Sequence, residues 1–293
     1  MAPASLITPP NVIAAVLLLV PYLAAAFFPA AFSRFSVALP PWARFMAPAL
    51  LAIPYLLVAM GAGILRWPWL VVYAGLPVAL AFLVGREASV ASANWTDFFS
   101  LAVLGLAVDL RWFEPAWPPH LAIYGKILLL DAGLYAFLAV RRLEGVGFDL
   151  RLQWSDVATG LKEVLWYAPV ALVLGLALGF LHLHGVWPGP GRIALAWIFT
   201  FFFIAVPEEL FFRGWLQNLL ERRLGRLPAL VVTAALFGLA HFNKRAAHFN
   251  WRYVLLAALA GVFYGRAWRR NRRVAASAVT HATVDALWSL WLR

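Results

Sequence analysis

The stretch "FIAVPEELFFRGWLQ", residues 203–217, places two adjacent glutamates and an arginine among large apolar side chains. On a helix, Glu209 and Arg213 are four residues apart and share a face, whereas Glu208 points about 100° away. We therefore predict an ion pair between Glu209 and Arg213 that leaves Glu208 free. Pro207 is expected to kink the helix and open room for water. Taken alone, the stretch could equally be a helix end that emerges from a membrane.

The composition is that of a membrane protein. Of the 293 residues, 64% are hydrophobic and 13% charged, and the mean hydropathy is +0.81. A helix needs roughly 20 apolar residues to cross a bilayer, and the sequence offers about eight to ten such runs. We predict an all-α, polytopic bundle of transmembrane helices. The candidate spans lie at roughly 11–32, 46–65, 68–85, 95–110, 120–140, 161–183, 192–212, 227–242, 251–268 and 274–292. The first is expected to be a retained helix and not a cleaved signal peptide.

The charge and the cysteine content argue against several kinds of site and partner. The chain has no cysteine, which excludes disulfides, thiolate zinc sites and cysteine nucleophiles. The net charge of +11 resides mainly in short joints between spans, so we interpret it as an orientation signal and expect no nucleic-acid partner. The basic joints 141–153, 213–226 and 269–273 are predicted to face the cytoplasm, and membrane lipids are the expected surroundings.

A polar stretch divides the chain into two parts. Residues 143–160, "LEGVGFDLRLQWSDVATG", have the polarity of an ordinary linker. We predict two domains, an accessory bundle of transmembrane helices at 1–142 and a second bundle at 143–293. Ionisable residues within spans concentrate in the second bundle. In the first, Lys126 and Asp131 are predicted to form an internal ion pair.

Three further polar features lie in the last four spans. An ionisable side chain in a membrane helix costs roughly 2.5 to 3.5 kcal/mol on insertion, so each is a functional candidate. His241 ends the apolar run "ALFGLAH". His281 and Asp285 are four residues apart and share a helix face. Gly261 and Gly265 form a small-residue face that predicts close helix contact.

Together these residues predict amide hydrolysis. A free glutamate, two histidines and a further carboxylate can activate water by general base catalysis with imidazole assistance. The same side chains could instead form a His/His/carboxylate metal site of the kind found in zinc hydrolases. Both mechanisms remain open at this point.

The sequence resembles a known family of membrane proteases. "EELFFR" (208–213) matches a Glu-Glu-x-x-x-Arg motif, "FGLAH" (237–241) a Phe-x-x-x-His motif, and "HATVD" (281–285) a His-x-x-x-Asn/Asp motif. These are motifs of the CAAX protease and bacteriocin-processing (CPBP) family, also called ABI, and they occur here in the family order. "AGVFYGRAW" (260–268) resembles the intervening glycine-rich helix. The resemblance covers about residues 143–293.

The resemblance implies a role for each motif residue. Glu208 would activate the attacking water with His241 as partner, and Glu209 with Arg213 would hold the helix geometry. His281 and Asp285 would stabilise the oxyanion or bind the leaving side. The family often has Asn at the last position, and an ionised Asp cannot donate a hydrogen bond to an oxyanion. Asp285 is therefore expected to orient His281.

A metal would change these roles. If zinc or another divalent metal is present, the expected ligands are Glu208, His241 and His281, with Asp285 as a possible addition. The sequence lacks the HExxH helix that fixes two ligands at helical spacing, and we favour the metal-free glutamate mechanism.

The leading hypothesis is an intramembrane endopeptidase that cleaves a membrane-bound protein or peptide. Because the composition resembles that of bacterial chains, the expected location is the bacterial inner (plasma) membrane. Two alternatives stay open. A proton-coupled transporter would also use buried Glu, His and Asp, although no inverted repeat is visible in the sequence. A non-catalytic scaffold or immunity protein could keep the same fold.

Overall fold

The computed structural model describes residues 7–86, 92–244 and 248–292. Within these ranges 79% of the residues are helical, in eleven helices, and none is in a strand. The predicted all-α class is confirmed. The chain divides into two compact units, Met1–Glu144 and Gly145–Arg293.

Six of these helices lie in the described part of the first unit. Their bounds are Pro9–Phe27 (α1), Pro29–Ala38 (α2), Pro41–Gly61 (α3), Trp67–Gly85 (α4), Trp95–Asp109 (α5) and Pro119–Val140 (α6). The single span predicted at 11–32 is instead two helices, because α1 ends before Phe28 and Pro29 begins α2. Proline lacks the amide hydrogen that would continue α1, whereas the first turn of a new helix tolerates it.

The ion pair predicted between Lys126 and Asp131 is not formed. Lys126 Nζ lies 3.2 Å from Glu114 Oε1. Asp131 is 2% exposed, and neither carboxylate oxygen has a hydrogen-bond partner within the described part of the chain. Residues five apart on a helix point about 140° away from each other, which explains why the two side chains do not meet. The buried ion pair of this unit instead joins Arg141 Nε to Asp97 Oδ1, 3.0 Å apart.

The other five helices lie within residues 145–244 and 248–292 of the second unit. Their bounds are Trp154–Ala177 (α7), Pro190–Leu224 (α8), Arg226–Leu239 (α9), Trp251–Asn271 (α10) and Val274–Trp291 (α11). α8 has 35 residues and a length of about 52 Å. Two π-helical segments, Phe201–Ala205 and Leu210–Gln217, flank Val206–Glu209. π-Helical segments are rare in proteins, but those that occur are frequently found at functional sites. Here one precedes and one follows the short stretch that carries both glutamates.

Six helices in the described ranges are long and apolar enough to cross a membrane, namely α1, α3, α4, α6, α7 and α8. α9 is apolar but shorter. α10 and α11 form where spans were predicted at 251–268 and 274–292, but they lie outside these six. The chain is a multi-pass integral membrane protein.

Glycines allow the close contact predicted between α10 and its neighbours. A Cβ atom on Gly261 would lie 3.0 Å from Ala234 Cα of α9. A Cβ on Gly265 would collide with Leu230 of α9 and with Gln217 of α8. Larger side chains at either position would therefore separate these helices.

Polar side chains anchor the start of α7. Arg273 Nε donates to the buried carboxylate of Asp156 at 2.9 Å, and its Nη2 donates to the carbonyl oxygens of Asp149 and Arg151. The Asp149 carboxylate also accepts from Arg151, and this hydrogen bond lowers the pKa of Asp149. The linker is thereby fixed to the turn between α10 and α11.

Candidate active site

Glu209 lies at the centre of a buried polar cluster. Its Oε2 is 3.1 Å from Arg213 Nε and accepts a 2.7 Å hydrogen bond from Ser277 Oγ. Its Oε1 is 2.8 Å from His281 Nδ1. The ion pair predicted from the i, i+4 spacing is therefore present. Glu209 and Arg213 are both 0% exposed and α8 continues to Leu224, which excludes a solvated helix end at this point.

Arg213 connects the cluster to two more helices. Its Nη2 donates to the carbonyl oxygen of Gly261 in α10 at 3.0 Å. Its guanidinium carbon lies 4.6 Å from the centre of the Phe237 ring in α9, within the range of cation–π attraction. Glu209 and Arg213 thus hold α8 against α9, α10 and α11.

Glu209 also fixes the orientation of His281. A carboxylate only accepts hydrogen bonds, so Nδ1 of His281 carries the hydrogen that binds Glu209. The imidazole stacks on Tyr264, with ring centres 4.7 Å apart and planes at 18°. These two contacts turn Nε2 toward Glu208 and Asp285. Nε2 is 4.0 Å from Glu208 Oε2 and 3.5 Å from Asp285 Oδ2.

Glu208 is the accessible carboxylate of the pair. Its side chain is 27% exposed, and Oε1 lies 3.7 Å from Lys244 Nζ. Oε2 is itself buried and has no hydrogen-bond partner among the residues that the structure describes. His241 and His281 both lie close enough to act on its charge. Glu208 therefore has one oxygen that can still accept a hydrogen bond, whereas both oxygens of Glu209 are already engaged.

His241 lies two residues beyond the end of α9 and is oriented by a contact with that helix. It is 6% exposed, and Nδ1 is 2.8 Å from the carbonyl oxygen of Phe237. Because a carbonyl only accepts, Nδ1 is the protonated nitrogen, and Nε2 of the neutral ring carries a lone pair that can accept a proton. The ring also packs on Tyr253, with centres 4.8 Å apart.

The two histidines and Asp285 line one cavity of about 320 Å³. Its other walls are apolar or aromatic, including Tyr167, Phe180, Tyr253 and Trp288. The Asp285 side chain is 29% exposed. A mostly apolar cavity with a few convergent polar groups is the usual form of a small-molecule or peptide site.

Sequence reasoning missed Ser277, Lys244 and Tyr264. Ser277 could have been found, because it lies four residues before His281 and so shares the face that carries Asp285. Lys244 follows His241 by three residues, but the sequence offers no reason to pair it with Glu208. The stacking of Tyr264 on His281 depends on how α10 and α11 pack, which spacing within one helix cannot predict.

The predicted zinc alternative does not fit the arrangement of donors. Among the described residues, no three His, Asp or Glu side chains converge to hold a metal ion. Glu208 Oε1 lies 3.7 Å from the Lys244 ammonium, a positive charge that would oppose a metal ion bound beside it. The mechanism proposed for this chain therefore uses no metal.

The comparisons with known proteins agree with the motifs. Residues 190–287 match the family model described as type II CAAX prenyl endopeptidase, Rce1-like. This match covers about a third of the chain and confirms the resemblance to CAAX-type proteases. It includes the six motif residues Glu208, Glu209, Arg213, His241, His281 and Asp285. It implies a membrane peptidase. The searches of curated proteins and of solved structures returned no match.

Proposed function

We propose that this chain, whose residues 190–287 match the Rce1-like type II CAAX prenyl endopeptidase family, is an intramembrane endopeptidase that uses glutamate-activated water. One observation carries the proposal. Glu208 is partly exposed with an unpartnered Oε2, beside two histidines whose Nδ1 atoms are both engaged. The substrate is a membrane-bound protein or peptide.

The first step is attack of water on the scissile carbonyl. Glu208 accepts one proton of the water, and Nε2 of His241 accepts a hydrogen bond from the other. The C–O bond forms and the carbonyl π electrons move to the oxygen, giving a tetrahedral oxyanion. Both groups are held by the fold, so little reorganisation is needed during the reaction.

His281 stabilises the oxyanion. Its Nδ1 binds Glu209, and an N–H group at Nε2 can donate a hydrogen bond to the developing negative charge. Asp285 Oδ2, 3.5 Å from Nε2, lies on the side toward which that N–H group points. Asp285 thus acts through His281, since an ionised carboxylate has no hydrogen to donate.

The last step is collapse of the oxyanion. The C–N bond breaks, and protonated Glu208 returns its proton to the leaving amine. The products are a carboxylic acid and an amine, and transfer of the remaining water proton from the acid to the amine gives a carboxylate and an ammonium group. The site returns to its starting protonation. The bacterial plasma membrane is the proposed location.

The direct test is substitution of Glu208 in the full-length protein. New protein N-termini would be compared in membranes from cells that make the wild type or the Glu208→Gln variant. We expect cleavages made by the wild type to be lost in E208Q, with the same amount of inserted protein. Glu114→Gln, in the other unit, is the matched control and should keep them. Identical N-termini with wild type and E208Q would refute the assignment.

A further inference from the structure

The five helices described in the second unit run between two opposite ends of that unit. Gln217 and Glu221, near the end of α8, contact Gly265 and Arg269, near the end of α10. Thr159, near the start of α7, bonds to Asn271. These contacts place the starts of α7, α9 and α11 and the ends of α8 and α10 together. We call this the arginine end and the other the cavity end.

Positive charge is unequally divided between the two ends. In the described part of the unit, the arginine end carries a group of arginines comprising Arg151, Arg222, Arg223, Arg226, Arg269, Arg270, Arg272 and Arg273. The described residues of the cavity end carry Arg192, Lys244 and Arg252. Lys and Arg accumulate in cytoplasmic loops of membrane proteins, so the arginine end faces the cytoplasm.

The site is closed toward the arginine end. The side chains that lie between Glu209 and that end are fully or almost fully buried, with exposures of 0% for Arg213, 1% for Trp215, 0% for Gln217 and 0% for Trp268. Gln217 and Arg213 also bind carbonyl oxygens of α10. This packed layer leaves no path for a peptide from the cytoplasmic side.

The site is accessible from the cavity end. The cavity extends from His281 along α11 to Trp288, Trp291 and Leu292, and it also contacts Leu181 after α7. The partly exposed part of the Glu208 side chain meets Lys244, whose own side chain is 36% exposed. Lys244 lies after the end of α9, at the cavity end. Both the cavity and the approach to Glu208 thus point away from the arginine end.

We infer that the substrate enters from the extracytoplasmic side of the membrane. The proposed peptidase would then act on a membrane protein whose cleavable segment has been translocated. This inference rests on the proposed function. It also makes Lys244 the cation that an incoming peptide meets beside Glu208.

The absence of cysteine in the chain allows a direct labelling test. Four single variants of the full-length protein would be made in intact bacterial cells, Lys244→Cys and His184→Cys at the cavity end, and Arg226→Cys and Arg270→Cys at the arginine end. The probe is a membrane-impermeant maleimide. We expect K244C and H184C to be labelled from outside, and R226C and R270C only after permeabilisation. The reverse pattern would overturn the inference, whatever the protein's activity.

A second arm tests where cleavage occurs. Protein N-termini that are found with the wild type and lost with E208Q should map to extracytoplasmic segments of membrane proteins. If they map to cytoplasmic segments, the sidedness is wrong while the peptidase assignment stands. If no N-terminus depends on Glu208, the peptidase assignment fails, and the labelling pattern still decides the orientation.

Discussion

Glu208 and Glu209 are adjacent in sequence but have opposite surroundings. Glu209 is buried among Arg213, Ser277 and His281, whereas the Glu208 side chain is 27% exposed and faces Lys244. Both oxygens of Glu209 are thus engaged by neighbouring side chains, whereas Oε2 of Glu208 has no hydrogen-bond partner among the described residues. At the scale of single residues, this difference in surroundings follows from the 100° between neighbouring helix positions.

Asp285 offers a test of how His281 is used. We expect Asp285→Asn to retain cleavage within about tenfold of wild type, because the amide oxygen can still accept from His281 and the amide nitrogen can donate to an oxyanion. Asp285→Leu removes both abilities and should lose about 10²-fold or more. Initial rates of cleavage in membranes measure the difference. Equal rates for D285N and D285L would show that Asp285 does not act on His281.

Ser277 is expected to act by positioning Glu209 and, through it, His281. Its hydroxyl donates to Glu209 Oε2 at 2.7 Å, and a hydrogen bond to a charged group contributes about 1.5–3 kcal/mol. Ser277→Ala should lower kcat about tenfold or more with little change in KM, and Ser277→Thr should recover part of the rate. Ser289→Ala, which removes a hydroxyl bonded to Ala286 on the same helix, is the control. A change in KM alone would argue against positioning.

The sequence predicted contacts within a helix better than contacts between helices. The Glu209–Arg213 pair and the approach of His281 to Asp285 follow from a spacing of four residues. The bonds from Glu209 to Ser277 and His281 join side chains about 70 positions apart, so they depend on packing that local periodicity does not encode. Lys126 shows the same limit, because its partner Glu114 lies outside its own helix.

At the scale of helices, the buried pair on α8 supports the packing of the whole unit. Removing one partner leaves an uncompensated buried charge, which costs about 3–5 kcal/mol. Arg213→Met should therefore lower Tm markedly, and the double variant Glu209→Leu with Arg213→Met should lower it less. Arg151→Gln, which breaks an exposed pair with Asp149, should change Tm little. A thermal unfolding series in detergent would show whether the double variant is the more stable one.

The contact of α10 with α8 and α9 depends on Gly265. A Cβ there would collide with Leu230 and Gln217, and overpacking of this kind costs about 1–3 kcal/mol. Gly265→Val should lower Tm and activity together, since Tyr264 beside it supports His281. Gly75→Ala, in a helix with open space around the glycine, should leave Tm unchanged or raise it. An unchanged Tm in G265V would mean that the helices can separate without cost.

At this scale, some helix ends and the π-helical segments could not be predicted from the sequence. Apolar periodicity predicted the helices at 95–110 and 274–292 to within about two residues, since polar side chains bound both. It did not predict the continuation of α8 to Leu224, because Gln217 and Asn218 in that continuation are polar but buried. The π-helical segments around Glu208 and Glu209 have no marker in the spacing of apolar residues.

At the scale of the whole molecule, the candidate site and the family match lie in one of two units. All candidate catalytic residues lie in Gly145–Arg293, and the family match falls within the same unit. The first unit carries the buried Arg141–Asp97 pair and none of the three motifs. An accessory role for residues 1–142 therefore remains our proposal.

The central claim is that Glu208 activates water without a metal. The most direct measurement is the cleavage rate of a membrane-bound substrate by purified full-length protein in liposomes, after chelator treatment and with the metal content determined. We expect the wild type to stay active without stoichiometric metal, and Glu208→Gln to lose about 10²-fold to 10⁴-fold, as loss of a general base requires. Full activity of E208Q, or loss of wild-type activity on chelation with recovery on adding zinc, would contradict the account.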